Sequence, residues 1–191
     1  IIVMNEELIE TTVTWLKYTG YEKGNIPVIK NNINIIKKEN ITTYQYKKIY
    51  REIGFNYNWI SRLKLSEEEL KKIIHHENVD IYFMVKKNKI IGFLEIDYRS
   101  LKEVKIVHLG IVDSFIGKGY GKKLLKFAIK RSKEIDIKPL ILQTNSLDHP
   151  NALIFYQKNG FQVYARRSAK VIKGVKKYDK FNKKNKSIYS N

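Results

Sequence analysis

The chain changes its hydrophobic period several times, and each change marks an element. Thr11-Thr12-Val13-Thr14-Trp15-Leu16 alternates β-branched and aromatic residues, which predicts a strand. Residues 20–32 carry Gly20, Gly24, Pro27 and several Asn and read as loop. Tyr46, Ile49, Tyr50 and Ile53 recur at helical spacing, with Thr42-Thr43 ahead of them as a cap and Gly54 behind them as a stop. Ser66-Glu67-Glu68-Glu69-Leu70 fits a capping box, with Ser66 as cap and Glu69 three residues on. It opens a second helix that runs to about His76.

The period then falls to two. Ile81 to Val85 is a strand, Lys87-Asn88-Lys89 a tight turn, and Ile90 to Tyr98 the returning strand of a hairpin. Glu103 to Val112 is a third, long strand whose interior Gly110 suggests a bulge or a close backbone approach. Gly117 to Ile135 reads as an amphipathic helix that buries Leu124, Leu125, Phe127, Ala128 and Ile129. Pro139 to Thr144 is a strand. Pro150 to Asn159 is a helix, with Pro150 in its first turn and Gly160 just past its end. Phe161 to Arg166 closes the series. This order predicts an α/β (α+β) fold: a mixed, mostly antiparallel sheet with helices on both faces.

The 191 residues suit one domain, taken as 1–165, followed by a basic segment, 166–191, that is partly strand and then tail. There is no cysteine, which excludes disulfides, thiolate metal sites and a cysteine nucleophile and fits a reducing compartment. No apolar run reaches the length of a membrane span, and Ile1 to Glu7 does not read as a signal peptide, so a cytoplasmic location is expected. His75 and His76 are adjacent, point apart on a helix and have no companion ligands, so no metal is expected. The net charge is +18, and residues 166–191 hold ten Lys or Arg against Asp179 alone. Such an excess favours polyanions, although the joint richness in Lys, Ile, Asn and Tyr also fits a plain coding bias.

The most informative stretch runs from Leu109-Gly110-Ile111-Val112 through Phe115-Ile116-Gly117-Lys118-Gly119-Tyr120-Gly121-Lys122-Lys123. A strand ends, three glycines follow at alternate positions, and a helix begins. Glycine admits positive φ and close approach. The unpaired N–H groups of a helix start, with the dipole behind them, can hold a pyrophosphate. The spacing is neither the nucleotide P-loop, which needs Ser or Thr after Gly-Lys, nor the dinucleotide fingerprint, because Gly117, Gly119 and Gly121 give GxGxG.

Downstream lies Asn145-Ser146-Leu147-Asp148-His149-Pro150-Asn151-Ala152-Leu153-Ile154-Phe155-Tyr156-Gln157-Lys158-Asn159-Gly160-Phe161. Together with the glycine loop, this resembles the GNAT superfamily of acyl-CoA-dependent N-acyltransferases, in particular a bacterial subgroup of unassigned substrate. The family pairs Q/R-x-x-G-x-G/A with a downstream N-x-x-A-x-x-F/L-Y-x-x-x-G-F helix. The resemblance covers roughly residues 80–166 and implies acetyl-CoA as cosubstrate. It places the cosubstrate against Gly110, Ile111, Val112, Gly117, Lys118, Gly119, Tyr120, Gly121 and Lys122, with Asn145, Asn151 and Phe155 from the second motif. Ile116 stands where the family has Gln or Arg, and Asp113 where such loops often have Pro. Because the phosphate contacts are main-chain N–H groups, binding is expected to survive, with Lys118 adding charge.

The activity implied is direct acetyl transfer to an amine. The resemblance puts Tyr156 beside the departing thiolate and a main-chain N–H near Gly110 and Ile111 at the oxyanion. Either Glu95 or His108 is the candidate for taking the proton of the ammonium. With no cysteine, a ternary complex is favoured over an acyl-enzyme. The acceptor pocket is expected around Tyr50, Tyr57, Trp59 and Arg62, whose aromatic rings and single guanidinium suit an aromatic or anionic acceptor. The partners expected are an amine acceptor, a polyanion at the basic C-terminal segment and, as an option, a second copy of the chain. Two other functions stay open: an acyl-CoA sensor without turnover, and a nucleic-acid-associated protein whose Tyr178, Phe181 and Tyr189 lie among lysines.

Overall fold

A computed structural model describes residues 7–20 and 33–174. In chain order the elements are β1 (Leu8–Tyr18), β2 (Ile33–Lys37), α1 (Thr43–Gly54), α2 (Ser61–Lys64), α3 (Glu67–Ile74), β3 (Val79–Lys86), β4 (Lys89–Asp97) and β5 (Val104–Ile111). They continue with α4 (Tyr120–Ile135), β6 (Leu140–Asn145), α5 (Ala152–Lys158) and β7 (Phe161–Ile172). The seven strands form one sheet in the order β2-β3-β4-β5-β6-β1-β7. Among the described residues, only β5 and β6 pair in parallel, joined by the α4 crossover that a parallel pair requires.

Local chemistry explains most boundaries. Thr42 and Gln45 form a capping box at the start of α1, and Ser66 and Glu69 form the expected one at α3. Lys87 and Asn88 both have positive φ and join β3 to β4 as a two-residue turn whose twist matches the strands. Gly117 and Gly119 have φ of 78° and 80°, so α4 cannot include them and begins at Tyr120, later than the sequence suggests. The helix expected from Pro150 begins at Ala152. The closing strand continues past Arg166 to Ile172, because β1 offers it a partner along its whole length. The tail expected after this strand lies outside the described residues. β2 and the single turn of α2 were not expected from the sequence.

Two apolar layers cover the sheet. On one face, α1 and α3 pack Tyr46, Ile49, Ile53, Leu70 and Ile74 onto Val79, Ile81, Phe83 and Phe93. On the other, α4 and α5 bring Leu124, Leu125, Ala128 and Tyr156 against Leu94, Ile106, Leu142 and Phe161. Each such side chain, fully buried, contributes about 1.5–3 kcal/mol before the entropy of ordering it is counted.

The strand pair that positions the site is β5–β6. Its register runs only through Val104–Leu140, Lys105–Ile141 and Ile106–Leu142. Beyond it, β6 continues against β1 and β5 continues against β4, so the two parallel strands part. The bulge in β5 falls between Ile106 and His108, opposite Glu95 and Ile96, and not at Gly110. Gly110 has a different cause. A Cβ there would collide with Ile53 Cγ2 and lie 3.2 Å from Trp59 Cη2, so α1 and the segment after it can settle on β5 only over a glycine.

Gly110→Ala should therefore destabilise the fold by about 1–3 kcal/mol through overpacking, read from urea unfolding. The double variant with Ile53→Ala should lose less than the sum of the two single losses, because it removes the clashing methyl.

Candidate active site

The centre of the site is a buried carboxylate. Glu95, on β4, is 0% exposed and faces α1. Its Oε1 accepts from Arg62 Nη2 at 2.6 Å. Its Oε2 accepts from the Tyr46 hydroxyl and lies 2.9 Å from His108 Nδ1. Burial alone would favour the protonated acid. The charge and hydrogen bond of His108, then Arg62 and Tyr46, outweigh it and hold Glu95 down to about 2. Arg62 balances in the same way: burial disfavours its charge, and Glu95 more than restores it. Glu95 is thus an ionised anchor with no exposed surface. Of the two candidate bases, it is the one that cannot meet a substrate directly.

His108 lies directly across from Glu95 on β5. Its ring is boxed by Tyr50, with centroids 5.0 Å apart, Trp59 at 5.0 Å and Phe93 at 6.1 Å. Tyr50 is itself fixed, its hydroxyl 3.0 Å from Ser61 Oγ. Trp59 reaches across the parting of the strands: its Nε1 donates to Asp148 Oδ1 at 3.4 Å, beyond the end of β6. Asp148 was not picked out from the sequence as a site residue. Its other oxygen accepts from Thr144 Oγ1 at 2.7 Å and from Asn145 N at 2.9 Å, so it also fixes the turn after β6.

The residues beside Trp59 fasten the same strap. Asn56 Nδ2 and Tyr57 Oη donate to Asp113 at 2.7 and 3.3 Å, just after β5. Asn58 Nδ2 donates to the Ile172 carbonyl at 3.0 Å, at the end of β7. Of the residues expected around an acceptor pocket, Tyr50 and Trp59 pack on the His108 ring and Arg62 joins it through Glu95, whereas Tyr57 lies against Asp113 and His149. The guanidinium of Arg62 is committed to Glu95, however, and is not left to greet an anionic acceptor.

On the opposite face lies the glycine loop. Gly119 caps α4 with φ of 80° and makes no side-chain cap bond, which leaves the first N–H groups of a 16-residue helix without helical acceptors. A Cβ on Gly117 would meet nothing within 4 Å. A Cβ on Gly121 would lie 3.7 Å from Phe155 Cζ and 3.8 Å from Ile111 Cγ1, so the end of β5, the start of α4 and α5 converge there. The side chains of the loop behave less simply. Lys118 Nζ donates to the Ser114 carbonyl at 2.8 Å and sits over the Phe115 ring, so its charge is turned back onto the loop. Tyr120 is buried and its hydroxyl is bound by Lys86 Nζ at 2.5 Å. Asn145 Oδ1 accepts from Leu147 N at 2.8 Å within its own turn, and Asn151 is the exposed N-cap residue of α5.

Tyr156, on α5, packs between Phe155 and Phe161 and is 9% exposed, and its hydroxyl makes no hydrogen bond to a described residue. Burial, with a smaller push from Asp148, raises its phenol well above the usual range, so it remains a proton donor at neutral pH. Among the described residues there is no group of three or more His, Asp or Glu able to hold a metal, and no helix is long and apolar enough to cross a membrane.

A family model described as an acetyltransferase (GNAT) domain matches residues 40–176. No curated protein matches the sequence. A GNAT family acetyltransferase from Elizabethkingia anophelis, solved with acetyl-CoA bound, is similar in fold at 23% identity and a TM-score of 0.54, over 71% of this chain and 80% of that one. An IAA acetyltransferase from Bacillus cereus is similar at 21% identity and a TM-score of 0.53, over 70% and 79%. A conserved protein of unknown function from Staphylococcus epidermidis is similar at 10% identity and a TM-score of 0.57. That match covers 88% of this chain, which spans 64% of the length of the other.

The buried carboxylate has a consequence for stability. Because the native pKa of Glu95 is depressed from 4.5 to about 2, its stabilisation is complete above pH 4.5 and is lost as pH falls towards 2. Wild-type unfolding free energy should drop across that window, with roughly 3 kcal/mol of the drop due to this group. Glu95→Gln should start lower and show a shallower slope between the same limits in urea titrations.

Proposed function

Because the chain belongs to the GNAT acetyltransferase family, we propose that it is an N-acetyltransferase that moves the acetyl group of acetyl-CoA directly to an amine in a ternary complex. One observation carries this reading: β5 parts from β6 next to an uncapped, glycine-rich helix start. The parting leaves main-chain groups of β5 available along one edge. The helix start supplies N–H donors and a positive dipole end for a diphosphate. The fold-similar Elizabethkingia protein holds acetyl-CoA, which makes that thioester the ligand to try first.

In this reading the N–H groups from Gly117 to Lys122 hold the diphosphate, and Gly110, Ile111 and Val112 border the acyl end, where a main-chain N–H stabilises the tetrahedral oxyanion. Bound acetyl-CoA supplies an activated acyl group. Tyr156 gives its phenolic proton to the leaving thiolate. Asn145 and Lys118, engaged by the loop and turn they belong to, shape the site and do not grip the ligand directly. The absence of cysteine removes a thioester-linked enzyme intermediate. The amine acceptor, a small molecule or peptide, enters on the Trp59 side.

The basic C-terminal segment supports a separate proposal of polyanion contact, since Arg166, Arg167 and Lys170 are exposed on β7. Polynucleotide binding that weakens steeply with salt would support it, and salt-independent or absent binding would remove it.

Acetyl-CoA at about 100 times its Kd should stabilise the protein by about 2.7 kcal/mol, roughly 5–10 °C in Tm. Gly121→Asp should keep or improve stability, since an acid suits the first turn of a helix, yet abolish that response by repelling the diphosphate. A wild type indifferent to millimolar acetyl-CoA would overturn the reading. For turnover, thiol release across a panel of polyamines, aminoglycosides, amino acids and lysine peptides should identify an acceptor. Tyr156→Phe should then lower kcat about 100-fold with little change in acetyl-CoA affinity.

A further inference from the structure

We propose that His108 is the catalytic base of this site, through Nε2, and that Glu95 is the positioning residue that fixes its tautomer. The proposal rests on the acetyl-transfer reading and deepens it. It begins from the hydrogen-bond count at Glu95. Three donors, from Tyr46, Arg62 and His108, converge on two carboxylate oxygens with no exposed surface. An ionised carboxylate only accepts, so His108 Nδ1 must carry a proton to make its 2.9 Å bond. In the neutral ring, the free lone pair is therefore on Nε2, which points away from Glu95.

Nε2 makes no hydrogen bond to any described residue, is not among the sealed, unpartnered polar atoms, and belongs to a side chain that is 11% exposed. A histidine kept only for packing would gain by satisfying both nitrogens; here one is anchored and the other left open. The ring's position points the same way. His108 follows the β5 bulge, precedes Gly110 by two residues, and lies where β5 has already left β6, beneath the Trp59 that spans the opening. The other ionisable groups facing this centre are Tyr46 and Tyr50 on α1 and Arg62 on α2. All three are held by the hydrogen bonds described above, and Asp148 bonds Trp59.

The step balances simply. The acceptor arrives as an ammonium ion, and Nε2 takes one proton. The neutral amine then forms a C–N bond to the thioester carbonyl as the C–S bond breaks. The thiolate takes the phenolic proton of Tyr156, the second amine proton restores the phenol, and the imidazolium returns its proton to solvent.

Nitrogen-15 NMR of histidine-labelled full-length protein tests the arrangement without an acceptor. There are four histidines, and His108→Gln assigns the relevant signals by their loss. The expected result is a neutral ring protonated on Nδ1 with the lone pair on Nε2, and loss of that single tautomer in Glu95→Gln. A proton on Nε2 of the neutral ring, or the same single tautomer kept in a folded Glu95→Gln, overturns the proposal. If Glu95→Gln does not fold, the wild-type tautomer decides. With the amine found by thiol release, His108→Ala should lose at least 100-fold in kcat, keep its thermal response to acetyl-CoA, and recover in part with added imidazole. Undiminished turnover, or a loss that imidazole does not touch, refutes the base assignment. Failure of the wild type to bind acetyl-CoA would instead sink the acetyl-transfer reading, while the NMR still decides the dyad.

Discussion

Burying a carboxylate with no exposure is costly unless every lone pair is matched, and meeting that demand at Glu95 organises one whole face of the protein. Its donors come from three elements: Tyr46 from α1, Arg62 from α2 and His108 from β5. The two helices are therefore not merely laid on the sheet by apolar contact; they are held in register with it. The other face repeats the device for a different purpose. Asp80 on β3 is equally buried and meets Lys37 at 2.9 Å and Arg131 at 2.7 Å, tying β2 and α4 to the sheet. That carboxylate meets two flexible cations, a structural tie. Glu95 meets an imidazole whose second nitrogen stays open.

The parting of β5 from β6 needs its own support. A strand end with one edge unpaired would fray, and here both sides are clamped. The strap Asn56 to Trp59 bonds Asp113 after β5, Asp148 after β6 and the end of β7. Below the opening, β6 is kept straight by β1, which runs antiparallel between β6 and β7 and so joins the start of the described chain to its end. The opening is thus a fixed feature of a sheet that is closed on both sides of it.

What was legible in the sequence was what local chemistry writes. The capping box at Ser66, a tight turn at Lys87-Asn88-Lys89, and the pairing of a glycine loop with the helix expected from Pro150 to Asn159 were legible, and together with the order of strands they pointed to the fold class. Positions set by contacts distant in sequence could not. Nothing in Thr11 to Leu16 says that this strand inserts between β6 and β7, and Ile33 to Lys37 is too short to announce itself as an edge strand. Gly110 signalled a close approach correctly, but only the packing shows that Ile53 and Trp59 make it. Glu95 and His108 stood out as polar residues in apolar strands. That they oppose each other depends on a register, displaced by one bulge, that no local pattern encodes. Lys118 shows what sequence does not record: its Nζ folds back onto the Ser114 carbonyl four residues earlier.

The two faces also divide the chemistry. Tyr156 belongs to the layer of α4 and α5, while His108 belongs to the layer of α1 and α3, and the sheet separates them everywhere except where β5 and β6 part. Acyl transfer through a tetrahedral carbon needs a nucleophile and a leaving group that are held apart, each with its own proton partner. Here the Tyr156 phenol and the His108 imidazole sit on opposite faces, with only the opening between them. In the acetyl-transfer reading proposed above, the anchoring of Glu95 does more than stabilise: it holds the Nδ1 proton of His108 towards the core and turns Nε2 away from it.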